Sequence, residues 1–199
     1  MIDGAARLAA RYPVVWHVIE ADGAGSWLSE TGLLPAAYLQ QMAGLADDGS
    51  NRNAFRRIDF GAGRSAVLRF QQMPDLQLTP TLAGSFAGRP DLWRRHINQH
   101  VFFWAQERRC TAFIRACMRL RDPSNAHPVT LAIDTATLLV RHSSFAFYAT
   151  VNTGSTVRGG ARIRRDDATF HPVAEIAIRG CVDLECSLYR EEKEEARNT

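Results

Sequence analysis

His17 lies in Tyr12-Pro13-Val14-Val15-Trp16-His17-Val18-Ile19-Glu20, one imidazole in a run of strand-forming apolar residues. An imidazole in that setting either satisfies a backbone carbonyl, the commoner case, or offers a ring nitrogen to a ligand. Glu175 lies in Ala174-Glu175-Ile176-Ala177-Ile178. With Ile176 and Ile178 turned to a core, the strand period sends Glu175 to the opposite face, which is water or a cleft. In a cleft, a carboxylate there would stabilise a cationic, sugar-like transition state. His96 and His100 are four apart, half of a metal site, but the glutamate of HExxH and a third ligand are absent, so no metal is expected. Phe102-Phe103-Trp104 reads as core, or as a strand with one ring open to stack on a flat ligand. Arg56-Arg57 and Arg158 read as surface cations whose forks suit phosphate.

Those residues need elements to position them. Ile2 to Arg11 reads as a short helix, followed by the His17 strand, which Pro13 and Asp22-Gly23 bound. Ala24 to Glu30 and Pro35 to Ala43 read as helices separated by Gly32-Leu33-Leu34, with Pro35 suited to a first turn. Asp47 to Asn51 is expected as a loop or the cap of a short helix ending at Phe55-Arg56-Arg57. Ser65 to Phe70 reads as a strand, Thr79 to Ala87 as a short segment of undetermined type, and Pro90 to Gln99 as a helix with Leu92, Trp93 and Ile97 inward. Val101 to Trp104 is an aromatic strand and Glu107 to Arg121 a helix stopped by Asp122-Pro123. Val129 to Ile133 and Phe145 to Tyr148 read as strands, with a short helix at Thr135 to Val140. Asn152 to Thr156 with Arg158-Gly159-Gly160 is turn chemistry. Val173 to Ile178 and Val182 to Leu184 read as strands. The expectation is an α+β domain over 1–190, with a helical front half, strands after it, and a charged tail over 191–199.

Composition removes several function classes. At 199 residues the chain suits one domain. No run approaches the length of a membrane span, and Met1-Ile2-Asp3-Gly4 is acidic where a signal peptide is basic, so a cytoplasmic protein without a membrane partner is expected. Cys110, Cys117, Cys181 and Cys186 form no CxxC pair and read as small apolar fillers. Lys193 is the only lysine, so any phosphate contact falls to arginine. A Ser nucleophile elbow, a P-loop and a GxGxxG are absent, which excludes most hydrolase, NTPase and Rossmann readings.

In order and spacing, the set resembles the ADP-ribosyltransferase superfamily, closest to a bacterial family akin to the DarT-like toxins that modify DNA. Val15-Trp16-His17-Val18 with Gly32-Leu33-Leu34 resembles the opening strand and the segment after it. Arg56-Arg57 resembles an arginine pair, and Ile97-Asn98-Gln99-His100-Val101-Phe102-Phe103-Trp104 the asparagine-then-aromatic strand, the most specific match. Leu131 to Thr135 is similar to the next strand, Val151 to Thr156 with Arg158-Gly159 to a loop, and Ala174 to Ile178 to the terminal glutamate strand. Two positions depart from the pattern. Phe70-Gln71-Gln72-Met73-Pro74 stands where that family carries an arginine and an aspartate, and Val173 stands where arginine-modifying toxins have a second glutamate.

The resemblance implies a split, twisted β-sheet with flanking helices and a nicotinamide cleft between its halves. It implies NAD as co-substrate and Glu175 as the catalytic carboxylate at the ribose cation. His17 would hold the adenosine ribose, Phe103 or Phe102 would stack on nicotinamide, and Arg57 or Arg56 would pair with the diphosphate. Asn98 belongs to the cofactor set, and Asn152 and Arg158 to the acceptor loop. The expected activity is mono-ADP-ribosyl transfer, with a nucleobase as first acceptor and an antitoxin or immunity protein as a candidate partner. Alternatives are a silent module that binds NAD, ADP-ribose or nucleic acid, an RNA 2′-phosphotransferase using Arg158, Arg162, Arg164 and Arg165, and an NAD hydrolase.

Overall fold

The computed structural model describes residues 4–20, 32–69, 71, 73–119, 128–142, 146–149, 164–172 and 185–189. In chain order, α1 (Gly4–Arg11) leads into β1 (Val14–Glu20), and α2 (Ala36–Met42) precedes the strands β2 (Arg56–Asp59) and β3 (Ser65–Leu68). Then come α3 (Asp75–Leu78), two short 3₁₀ turns (Thr79–Thr81 and Gly84–Phe86), α4 (Pro90–Asn98), β4 (His100–Trp104) and α5 (Glu107–Arg119). The second half holds β5 (Pro128–Asp134), α6 (Thr135–His142), β6 (Ala146–Ala149), β7 (His171–Pro172) and β8 (Glu185–Tyr189). Among the described residues, six strands form one sheet in the order β5-β1-β4-β8-β6-β7, every pairing antiparallel, and β2 and β3 form a separate hairpin. Helices that do not cross between parallel strands make this an α+β architecture, as expected.

The ladders differ in completeness. β1 and β5 are in register along their whole length, from Val14 opposite Asp134 to Glu20 opposite Pro128. β4 and β8 run from His100 opposite Tyr189 to Trp104 opposite Glu185. β1 and β4, although neighbours, meet only where Trp16 faces Trp104. The sheet is therefore parted along most of the β1/β4 seam.

Three apolar clusters hold these elements. Leu8, Tyr12, Val15, Val101, Phe103, Ala105, Leu139 and Ala146 join α1 and α6 to one face of the sheet. Leu34, Leu39, Ile58, Ala66 and Leu68 pack α2 against the hairpin, with Ile19 of β1 reaching in. Met73, Leu78, Trp93 and Ile97 close α3 onto α4, with Phe86, Phe102 and Phe170 around them. α4 starts at a proline, which fixes φ where the first turn needs no donor, and it buries Trp93 and Ile97 as the spacing requires. α6 follows β5 without a loop because the Asp134 carboxylate accepts the Thr137 amide and caps the new helix.

Some expectations are corrected. Arg56-Arg57 do not end a helix; they begin β2, which pairs Arg57 with Val67 and Ile58 with Ala66. Only Ile58 of the four β2 residues is buried, so the strand carries almost no apolar pattern, and it is held by its partner. The front half is accordingly mixed rather than helical. Thr79 to Ala87 resolves into the two 3₁₀ turns. The expected elements at Ala24 to Glu30, Val173 to Ile178 and Val182 to Leu184, and the tail over 191–199, lie outside the described residues, as do Cys181, Arg121, Arg158 and Arg162.

Candidate functional site

His17 stands at the parted seam. With the β1/β4 ladder confined to Trp16 and Trp104, the Phe102 carbonyl is met instead by Nδ1 of His17 at 2.7 Å. A carbonyl can only accept, so Nδ1 carries the hydrogen and Nε2 keeps its lone pair. Burial holds the imidazole down to about 4, against the Phe102 carbonyl, which favours the charged form; the nearby Arg69 charge adds to the lowering. At neutral pH the ring is thus neutral and presents Nε2 as an acceptor. Phe103 backs it, ring centroids 5.5 Å apart.

Arg69 follows β3 and reaches the same region from the hairpin. One guanidinium nitrogen lies 3.6 Å from a Glu20 oxygen, with side chains 18% and 5% exposed. That separation is an ion pair outside hydrogen-bond range. The guanidinium also lies 5.4 Å from the ring centre of Phe113 on α5, and Phe113 packs on Trp104 at 4.8 Å. Arg69 supplies the cation next to the uncharged Phe70 to Pro74 stretch. The sequence signal for it is a charge interrupting Val67-Leu68-Arg69-Phe70; its approach to β1 has no local signature.

Asn98 has a different placement from the one its motif suggests. It is 2% exposed, its oxygen accepts from Arg52 at 3.0 Å, and its amide donates to both oxygens of Asp47 at 3.0 and 3.1 Å. Arg52 also donates to the Arg69 carbonyl at 3.1 Å. Arg94, buried on the same helix, donates to the Gly49 and Met73 carbonyls and to Asp75. Asn98 therefore fastens the 47–52 loop to α4, directly behind the chain that carries Arg69.

The other expected residues are scattered. Phe103 is 1% exposed and fills the core, while Phe102 is half-buried beside the α3/α4 cluster. Arg56 and Arg57 are exposed on the hairpin, and Arg57 donates to the Ser65 hydroxyl across it at 3.0 Å. Glu175, Asn152 and Arg158 lie outside the described residues.

The His96 and His100 rings lie together in an aromatic cluster. Their rings meet edge to face at 4.9 Å, His100 stacks on Phe170 at 4.5 Å, and Nδ1 of His100 donates to the His96 carbonyl at 2.9 Å. Burial pushes His100 down to about 3, helped by its neighbour His96. Among the described residues no group of three or more His, Cys, Asp and Glu side chains could hold a metal ion. Also among them, no helix is long and apolar enough to cross a membrane.

The chain belongs to a family of unknown function, DUF7002, whose model matches residues 13–187. No curated protein and no solved structure matches it.

Proposed function

From the sequence resemblance and the geometry of the seam, we propose that the chain is an NAD-dependent mono-ADP-ribosyltransferase with its cleft at the parting of β1 and β4. The observation that carries this reading is His17: a neutral imidazole, fixed by the Phe102 carbonyl, with Nε2 left as an acceptor. Such a nitrogen suits a ribose hydroxyl, which donates one hydrogen bond to it. A sheet joined at one residue pair on that side supports the split architecture that the resemblance implies.

In this reading NAD loses nicotinamide from its ribose, and the acceptor takes the ribosyl carbon and gives up a proton. Glu175 stabilises the oxocarbenium-like ribose as the bond breaks, as carboxylates do in glycoside hydrolysis. Phe102, the less buried of the two rings, stacks on nicotinamide. Asn152 and Arg158 stand beside the acceptor, a nucleobase by analogy of fold alone. Water as acceptor would make the same site an NAD hydrolase. A phosphotransferase is less favoured, because Arg165 is buried with a bond to Thr81 and Arg164 pairs with Asp166 at 3.0 Å.

One observation favours a second reading, a module that binds without turnover. In the uncharged stretch before Pro74, the Gln71 backbone amide donates to the Arg52 carbonyl and the Met73 backbone amide to the Asn51 side chain, bonds that serve the fold. Calorimetric titration of NAD into wild type and His17→Ala, with nicotinamide release measured in wild type and Glu175→Ala, separates the two. The transferase reading expects saturable binding lost in His17→Ala, and release reduced at least a hundredfold in Glu175→Ala while NAD still binds. Binding with no release under any acceptor would leave the module. Equal release in wild type and Glu175→Ala would remove Glu175 from the mechanism.

A further inference from the structure

The outward side of α5 is basic along its length. Its inward side is taken by the sheet: Cys110 is buried, and Phe113 packs on Trp104 at 4.8 Å. On the outward side Arg108, Ala112, Arg115 and Arg119 are exposed. Steps of four, three and four residues bring these positions within about 60° of arc, in one row about 16 Å long. Glu107, the only acidic residue of the helix, stands at its first position, about 100° round from Arg108. Arg108 donates to the Gln106 side chain at 2.7 Å, a neutral acceptor. Among the described residues no carboxylate pairs with any of the three arginines. The row does not serve the helix. Arg115 and Arg119 are one turn apart, where like charges repel. Arg108 sits in the first turn, at the positive end of the helix dipole, where a cation is disfavoured. Only Arg119, in the last turn, stands where the dipole favours it.

The spacing selects the partner. Arg108 and Arg115 are about 10 Å apart along the axis, too far to share one phosphate, so the row suits a chain of anions. Its narrow arc follows one backbone. Ala112, between the forks, is small and lets that backbone come close. Arginine forks match phosphate oxygens two at a time. The exposed neighbours Ala112 and Met118 offer no hydrogen bond to a base edge, so such contacts position a strand without reading it. A membrane surface would need apolar side chains to insert beside the cations, and Met118 is the one large exposed apolar residue on α5.

We propose that the outward face of α5 is a docking surface for one strand of nucleic acid, with Arg108, Arg115 and Arg119 each taking a backbone phosphate. The binding itself needs no NAD chemistry. It also bears on the acceptor, and in that respect alone it rests on the transferase reading above. Trp104, against the inward side of α5, belongs to the single rung between β1 and β4. A strand lying on the helix therefore passes within about one helix diameter, 10–12 Å, of the seam.

The test titrates the full chain and its variants, without NAD, against a fluorescein-labelled twelve-nucleotide oligothymidylate, read by anisotropy over a series of salt concentrations. Wild type is expected to bind with an affinity that falls as salt rises. Changing Arg108, Arg115 and Arg119 together to Gln is expected to weaken binding at least thirtyfold at low salt. It should also flatten the slope of log affinity against log salt by about 2, at roughly 0.7 per phosphate contact. Arg7, Arg11 and Arg141 are exposed on α1 and α6. Phe103 packs towards those helices and Trp104, next in the strand, towards α5, so they lie on the opposite face of the sheet. Changing these three to Gln removes the same net charge and is expected to cost less than threefold. Ala112→Glu, a carboxylate in the middle of the row, is expected to cost at least tenfold. No binding by wild type, equal loss in the two triple variants, or an unaltered salt slope in the α5 variant would overturn the proposal. A preference for phosphatidylglycerol vesicles or polyglutamate over the oligonucleotide, at equal anion concentration, would overturn it as well. If the α5 triple variant fails to fold, Ala112→Glu decides, and binding at the wild-type level there counts against the proposal. Nicotinamide release from NAD is read in parallel. Oligonucleotide binding of the expected pattern without release upholds the docking surface and defeats the transferase. Release without oligonucleotide binding does the reverse.

Discussion

At the scale of single residues, two buried imidazoles make the fold sensitive to acid. His17 and His100 are depressed in the fold, to about 4 and about 3, from an ordinary value of 6.5. The unfolded chain binds protons at those positions that the folded chain refuses. Their contribution is therefore fully present above about pH 6.5 and is lost as the pH falls towards the folded values. Each group surrenders about 1.4 kcal/mol per pH unit across that window. Urea unfolding at pH 7 and pH 4.5 is expected to show a marked loss for wild type. The loss should be smaller in His100→Phe by roughly 2–3 kcal/mol. An equal loss in both would show that His100 is not buried neutral. Asn98 teaches the opposite lesson about reading residues: its motif suggested a ligand contact, whereas its buried amide is committed to Arg52 and Asp47.

At the scale of elements, the 47–52 loop depends on a single residue, Gly49. Gly49 has φ of +67°, a left-handed conformation, and a Cβ there would run into the Asp91 carbonyl on the first turn of α4. Its own carbonyl is held by Arg94. Gly49→Ala is expected to destabilise the fold by about 2 kcal/mol or more, combining strain with the clash. An unchanged melting temperature would mean that the loop can leave α4 without penalty. Elements of this kind divide by legibility. α4 is legible because burial stamps a helical period on it, Trp93, Arg94, Ile97 and Asn98, and β1 and β4 because they are runs of strand-forming residues, whereas β5 shows its strand formers with none of its residues buried. β2 is not legible, since one buried residue in Arg56 to Asp59 makes no pattern. The glycines of Gly61-Ala62-Gly63 were the remaining clue, a run of positive φ that turns the hairpin. The Arg69 and Glu20 pair and the bond from His17 to the Phe102 carbonyl join residues far apart in sequence, and nothing local announces them.

At the scale of the molecule, the order β5-β1-β4-β8-β6-β7 places the earliest strand in the interior of the sheet, between two strands made later. Hydrogen exchange should report the uneven ladders. Backbone amides of β1 directed at β5 sit in a complete ladder, and those directed at β4 beyond Trp16 do not. The second group is expected to exchange at least tenfold faster under native conditions. Uniform protection across β1 would show the seam to be closed in solution.

That seam also has a mechanical meaning. In a continuous sheet, a pull across the strands is shared among many backbone bonds in a row. Here the row between β1 and β4 has one rung, Trp16 with Trp104, and a side-chain rivet, the imidazole of His17 on the Phe102 carbonyl. The two leaves, β5-β1 and β4-β8-β6-β7, are joined by that rung, by the rivet and by the packing of Val15 with Val101 and Phe103. A molecule seated on Nε2 would stiffen the joint, and removing the imidazole would loosen it even where no ligand is bound.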